Sequence, residues 1–280
     1  MIYLFLTIIC SSSLALILKF GNVKKSNTAI LINANYITAS ILSLLFTLYK
    51  GKIFLSIEAL IFALFLGYLF AETFFIYSKA VGLAGTALAT VSARLSVLIP
   101  VLFSILLFGE SPDLTMLIGF LIALITFYFF YLSLRQKNLD VHGKRGYIYL
   151  ILLLIGIGVV DLSMKIFERN FLSEEKGTFV FVIFFTAFIY TLIKILTQKI
   201  SFEPNTFKTG LILGLPNFLS IHFLLAALGQ LPAIVVFPTL NIGVIVFTAV
   251  TAYLIWKEKI NNYGILAIIT GIIAIILLKI

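Results

Sequence analysis

The chain has 280 residues, 62% of them hydrophobic and only 11% charged, with a mean hydropathy of +1.19. A globule this apolar has too little polar surface to dissolve, which excludes the soluble enzyme and nucleic-acid-binding classes and implies an integral membrane protein. The formal net charge of +9 lies mostly in short loops, where lysine and arginine orient helices and meet anionic membrane lipid.

Ten apolar stretches follow in chain order, at 2–18, 29–49, 55–79, 83–107, 114–134, 147–167, 178–197, 208–228, 231–255 and 262–279. Each is long enough to cross a bilayer as a helix, which takes roughly 17–25 residues; a membrane β-barrel would show alternating segments of about ten. The first stretch has neither a positive leader nor a small-residue cleavage site, so it reads as a spanning helix and not a signal peptide. Residues 7–10 (TIIC) make a poor lipoprotein box, because Ile9 stands where a small residue belongs. The lone Cys10 excludes an intramolecular disulfide. A short turn near Val81–Gly82 joins the third and fourth helices, and the longest polar connection, Arg135–Gly146, falls at the midpoint. Short connections make successive helices antiparallel. The loops after odd-numbered helices hold thirteen lysines and arginines and the opposite side five, leaving aside Arg94 and Lys165 inside the membrane. The positive-inside rule then places both termini outside.

The second half repeats the first. LFLGYLFAETFFIYSKAVG (64–82) aligns with LILGLPNFLSIHFLLAALG (211–229), so that Gly67 meets Gly214, Ala80 meets Ala227 and Gly82 meets Gly229. With one residue of slippage, Glu110 meets Glu258, and each half ends in a helix with small residues four apart, Gly119/Ala123 and Ala267/Gly271. Five helices per half is an odd number, so the two copies, 1–140 and 146–280, insert with opposite orientation. Inverted repeats are a transporter architecture, with the substrate site near the bilayer midplane. The small-residue stripes serve packing within the bundle or, alternatively, a homodimer.

Nothing in the chain matches an enzyme motif or a metal-ligand spacing, so no catalytic residue, metal or cofactor is expected. Ionisable groups inside the membrane are the better pointers, since each costs several kcal/mol there. Glu72 and Arg94 flank the third turn at depths that differ by roughly 5 Å, which allows an ion pair. That pair either only fixes the hairpin, or it opens so that Arg94 takes a substrate anion or Glu72 a proton. Asp161 and Lys165 are four apart and share one helix face, with Lys165 close enough to the end to snorkel. Asn217, after the helix-breaking Pro216, and His222 are further candidates in the eighth helix, as are Asn241 in the ninth and Tyr77 in the third. Glu110 and Glu258 read as helix-end determinants. Glu72 and Arg94 align with Leu219 and Ile242, so the frame is duplicated while the charges are not.

The succession YSKAVGLAGTALATVSARLSVLIPVLFSILLFGE and its looser copy LLAALGQLPAIVVFPTLNIGVIVFTAVTAYLIWKEKI resemble the repeat of the drug/metabolite transporter superfamily, in its EamA-like ten-helix branch. The resemblance implies an all-α polytopic protein of two inverted five-helix repeats around a central cavity, with alternating access and cytoplasmic termini, against the charge count. It implies a secondary transporter, an exporter of a small-molecule substrate, in a bacterial-type inner membrane. Buried acid and base together suit a zwitterion such as an amino acid. The alternatives are a proton-coupled exporter of lipophilic or cationic compounds, with Glu72 or Asp161 as the coupling carboxylate, and a non-transporting scaffold or lipid-handling protein.

Overall fold

The computed structural model describes residues 1–20, 27–51, 53–134, 143–257 and 260–278. Among the described residues there is no strand, and the helices are α1 (Ile2–Phe20), α2 (Thr28–Tyr49), α3 (Ile57–Leu95), α4 (Leu98–Phe108), α5 (Leu114–Leu134), α6 (Gly143–Asn170), α7 (Lys176–Thr197), α8 (Pro204–Leu228), α9 (Ala233–Trp256) and α10 (Asn262–Leu277). Seven stretches are long and apolar enough to cross a membrane, with α3 and α4 forming one of them (Ile57–Phe108); α1 and α10 are shorter apolar helices. The protein is therefore all-helical and multi-pass. Glu258 and most of the central connection, 135–142, lie outside the described residues.

Local chemistry sets the helix ends. The side chains of Asn27, Ser56 and Asn261 accept from the backbone N–H of Ala29, Ala59 and Gly264, satisfying donors that a first turn leaves free. Pro204 opens α8, where its missing N–H costs nothing. Gly109 ends α4 in the left-handed conformation, φ 64°.

The turn expected near Val81–Gly82 lies later, at Gly85, with φ 82° and ψ 158°. Only glycine adopts that conformation readily. The chain reverses there: a continuous helix would separate Tyr77 and Thr90 by about 20 Å, yet their hydroxyls lie 3.5 Å apart. The helix loosens again immediately after Arg94, where Val97 N–H donates to the Arg94 carbonyl and Ser96 Oγ to that of Ala93.

The principal helix pairs all cross the midpoint of the chain. α2 packs between α7 and α8, α3 against α6 and α7, α8 also against α1, α9 against α1, and α5 against α10. A main core results, against which Phe62 and Phe171 stack with the buried Phe167 and Phe179, and a smaller cluster gathers Ala80, Ala89 and Leu153. Side-chain links define two ends. At one, Glu203 accepts from Asn27 N–H, and Asn261 Oδ1 accepts from Ser133 Oγ. At the other, Glu175 accepts from Ser56 N–H, and Glu110 accepts from Ala233 and Ile234 N–H. The first gathers the connections that follow odd-numbered helices and the second those that follow even-numbered ones. Below they are called the odd-loop and even-loop ends.

Candidate functional site

A cavity of about 440 Å³ runs from the odd-loop end, where Leu134, Ile260 and Asn261 form its mouth, inward to Arg94. Its walls are small or apolar along α9 and α10, including Val244, Ala249, Ala252, Ala267 and Ile268, with hydroxyls from Tyr77, Thr90 and Thr248. Arg94 lies nine residues past the reversal at Gly85, about 13 Å along the helix and thus near the middle of the bundle.

The guanidinium is held by a neutral partner. Arg94 Nη1 donates to Asn241 Oδ1 at 2.8 Å, and Asn241 Nδ2 donates in turn to the Phe237 carbonyl one turn back on α9. Pro238, in the same turn, leaves the Ile234 carbonyl without its helix N–H, since a proline offers none to the carbonyl four residues before it. Arg94 Nε is buried without a hydrogen-bond partner, and so is Thr248 Oγ1 in the cavity wall. Asp161, on α6, and Tyr77 are within electrostatic range of Arg94. Asp161 nonetheless forms no salt bridge with Arg94 within 4.0 Å, and both residues keep partial exposure. The structure thus gathers Arg94, Asn241, Asp161 and Tyr77, four of the residues singled out from sequence, around one centre.

The expected Glu72–Arg94 pair is not formed. The depths agree to about 6 Å, counted from Gly85, but the two side chains leave their helices in different directions. Glu72 faces α7, where its Oε2 accepts from Tyr190 Oη at 2.6 Å and Lys194 Nζ at 2.8 Å. Lys194 also sits 3.9 Å from the Phe75 ring centroid. The sequence signal for this triad was weak. Lys194 lies in the last turn of α7 and reads as an interfacial charge, whereas it turns inward to a carboxylate.

Lys165 does not snorkel. It is 7% exposed, 3.3 Å from Glu110 and 3.8 Å from Glu168, and it donates to the Leu228 carbonyl. Glu110 thereby serves two partners, because its carboxylate also caps the α9 N-terminus, where a negative charge is favoured. Arg169 completes this layer by donating to the Phe108 carbonyl. Together these links tie α4, α6, α8 and α9 at the even-loop end. Asn217 donates to Asn35 Oδ1 across the α2–α8 seam, and His222 stands at the even-loop end with its ring centroid 4.4 Å from that of Phe46. Neither reaches Arg94's cavity.

The arrangement is a cavity among apolar helices, with a mouth at one end, a charged tie at the other and a cation between. The chain belongs to the EamA-like transporter family, whose model matches residues 144–280; the family lies within the drug/metabolite transporter superfamily. A protein of Haemophilus influenzae described as uncharacterized is 31% identical to it over 284 residues, covering 97% of this chain and 95% of the relative. A crystal structure is similar in fold, with a TM-score of 0.82 at 16% identity, over 99% of this chain and 95% of the other.

Proposed function

We propose that the chain is a secondary transporter that exports a small polar metabolite such as an amino acid across the inner membrane, by alternating access between two inverted five-helix repeats, 1–140 and 146–280. The observation that carries the reading is Arg94: a cation at mid-depth, lining a cavity, with a neutral amide as its hydrogen-bond partner and one donor unmet. An uncompensated buried charge costs several kcal/mol and is a poor structural element, so the missing anion is assigned to the substrate. Asp161, near but unbonded to Arg94, suits the amino group of the same zwitterion.

Helix contacts support the repeat. Gly67 of α3 abuts Ile183 and Thr186 of α7, while its counterpart Gly214 of α8 abuts Asn35 and Thr38 of α2. Exchanging each helix for the one five places along turns the first contact into the second. α3 on α6 and α8 on α1 form another such pair, and α2–α7 and α5–α10 map onto themselves.

Purified protein in liposomes tests the proposal. Amino acid exchange is expected from the wild type and not from Arg94→Gln, with both variants eluting as monodisperse species. If no amino acid exchanges and none shifts the melting temperature, the substrate class is wrong. Asp161 also favours a second reading, a proton-coupled exporter of lipophilic cations, because it is a partly exposed intramembrane carboxylate. In that case Arg94→Gln leaves cation efflux intact and Asp161→Asn abolishes it.

A further inference from the structure

His222 is left over by this scheme, and it lies in a second cavity. At the even-loop end a space of about 400 Å³ opens between α2, α7 and α8, lined by Phe46, Thr47, Lys50, Ser173, Lys176 and His222, with Glu174 and Gly177 also in its wall. We propose that this cavity binds the phosphoryl group of an anionic phospholipid. Two lysines, Lys50 and Lys176, converge here from different helices. Both act electrostatically on the His222 imidazole, so the three groups share one neighbourhood. Phe46 holds two of them, with Lys50 Nζ 5.5 Å from its ring centroid and the His222 ring against its edge. Glu174 sets one carboxylate against two ammonium groups, leaving a positive excess. α7 begins at Lys176 directly after the 3-10 turn Ser173–Glu175, and the positive dipole end of this helix adds to the same wall.

Phosphate in any form suits that chemistry, as lysine is a point-charge phosphate ligand and the Ser173 hydroxyl supplies a hydrogen bond. The surroundings favour a lipid as its bearer. Leu215, two turns before His222 on the same face of α8, is exposed and apolar, a surface for an acyl chain beside a headgroup pocket. The α2 and α7 backbones are pinned together at this point, since a Cβ on Gly177 would lie 2.8 Å from Thr47 Oγ1. The cavity is therefore a fixed feature of the α2–α7 seam and not a gap between mobile side chains.

The test uses the full chain in nanodiscs of phosphatidylcholine alone, of phosphatidylcholine with phosphatidylglycerol, and of phosphatidylcholine with inorganic phosphate in the buffer. Phosphatidylglycerol is expected to raise the unfolding temperature of the wild type, and phosphate is not. Lys50→Gln/Lys176→Gln loses that increment while unfolding near the wild-type temperature in phosphatidylcholine. A control, Lys199→Gln/Lys208→Gln, removes two exposed charges at the other end and keeps the increment. Equal loss in the control, or an increment retained in the double variant, overturns the site. A shift produced by phosphate alone overturns the lipid assignment. Should the double variant fail to fold, His222→Gln is read by native mass spectrometry, where loss of retained phosphatidylglycerol supports the site and unchanged retention refutes it.

Discussion

Arg94 and Asn241 show how one neutral residue can keep a charge available. An amide oxygen at 2.8 Å orients the guanidinium without neutralising it, so its charge remains available to a ligand. Asn241→Asp changes little in shape but puts a carboxylate on that spot. It is expected to raise the KM for an anionic or zwitterionic substrate at least about tenfold, since the internal carboxylate competes for the same donors and an ion-pair hydrogen bond exceeds a neutral one by about 1.4 kcal/mol. Uptake kinetics in proteoliposomes check this; an unchanged KM removes Arg94 from recognition. Lys165 is the opposite case, a buried cation already matched by Glu110 and Glu168. Lys165→Met leaves two carboxylates facing one another and is expected to destabilise the fold by about 3 kcal/mol, read as lowered resistance to thermal unfolding. Because the same change loosens the tie among α4, α6, α8 and α9, a cysteine introduced in the cavity wall by Thr248→Cys is expected to react with a thiol reagent added at the even-loop end in this variant.

Glycine carries the element-scale argument, and it shows what the sequence leaves open. The repeat alignment treats Gly67 and Gly82 alike as scaffold. In the structure a Cβ on Gly67 would lie 2.5 Å from the Ile183 carbonyl oxygen and 2.7 Å from Thr186 Cβ, while one on Gly82 meets nothing within 4 Å. Gly67→Ala is therefore expected to cost about 1–3 kcal/mol by prising α3 from α7. Gly82→Ala gains about 0.5–1 kcal/mol, because alanine is the better helix residue. Thermal unfolding of the two variants should move in opposite directions; movement the same way would show that the α3–α7 contact is looser than drawn. Helix existence and order were legible because long apolar runs and short connections dictate them. The reversal at Gly85, just beyond its expected place, was not, because AVGLAG offers two glycines and only the backbone conformation selects one. Depth was legible for Glu72 and Arg94. Direction around the helix was not, which is why Glu72 was matched to the wrong cation. A one-dimensional count measures how far along a helix a charge lies, while its partner depends on which neighbour packs against that face.

At the scale of the molecule, interleaved halves make the two ends inequivalent. The cavity to Arg94 opens at the odd-loop end, and the layer of Glu110, Lys165, Glu168 and Arg169 closes the even-loop end. Which compartment each end faces is predicted from charge, against the superfamily resemblance. Lys194 is spent on Glu72, and Lys79 lies over the Tyr149 ring. Subtracting both still leaves eleven basic residues against five, from which the positive-inside rule predicts a cytoplasmic odd-loop end. The cavity then faces the cytoplasm, as an exporter's loading state requires. Single-cysteine labelling tests this on a convenient background, since the one native thiol, Cys10, is buried in α1. Ser201 and Leu172 are exposed at the odd-loop and even-loop ends. In intact cells a membrane-impermeant maleimide is expected to label Leu172→Cys and to spare Ser201→Cys until the membrane is permeabilised. The reverse pattern would place the termini in the cytoplasm, as the superfamily resemblance implies. The same cavity would then face outward, making this conformation the releasing state of an exporter and leaving Arg94 to be reached from the cytoplasm only once the Lys165 tie has opened.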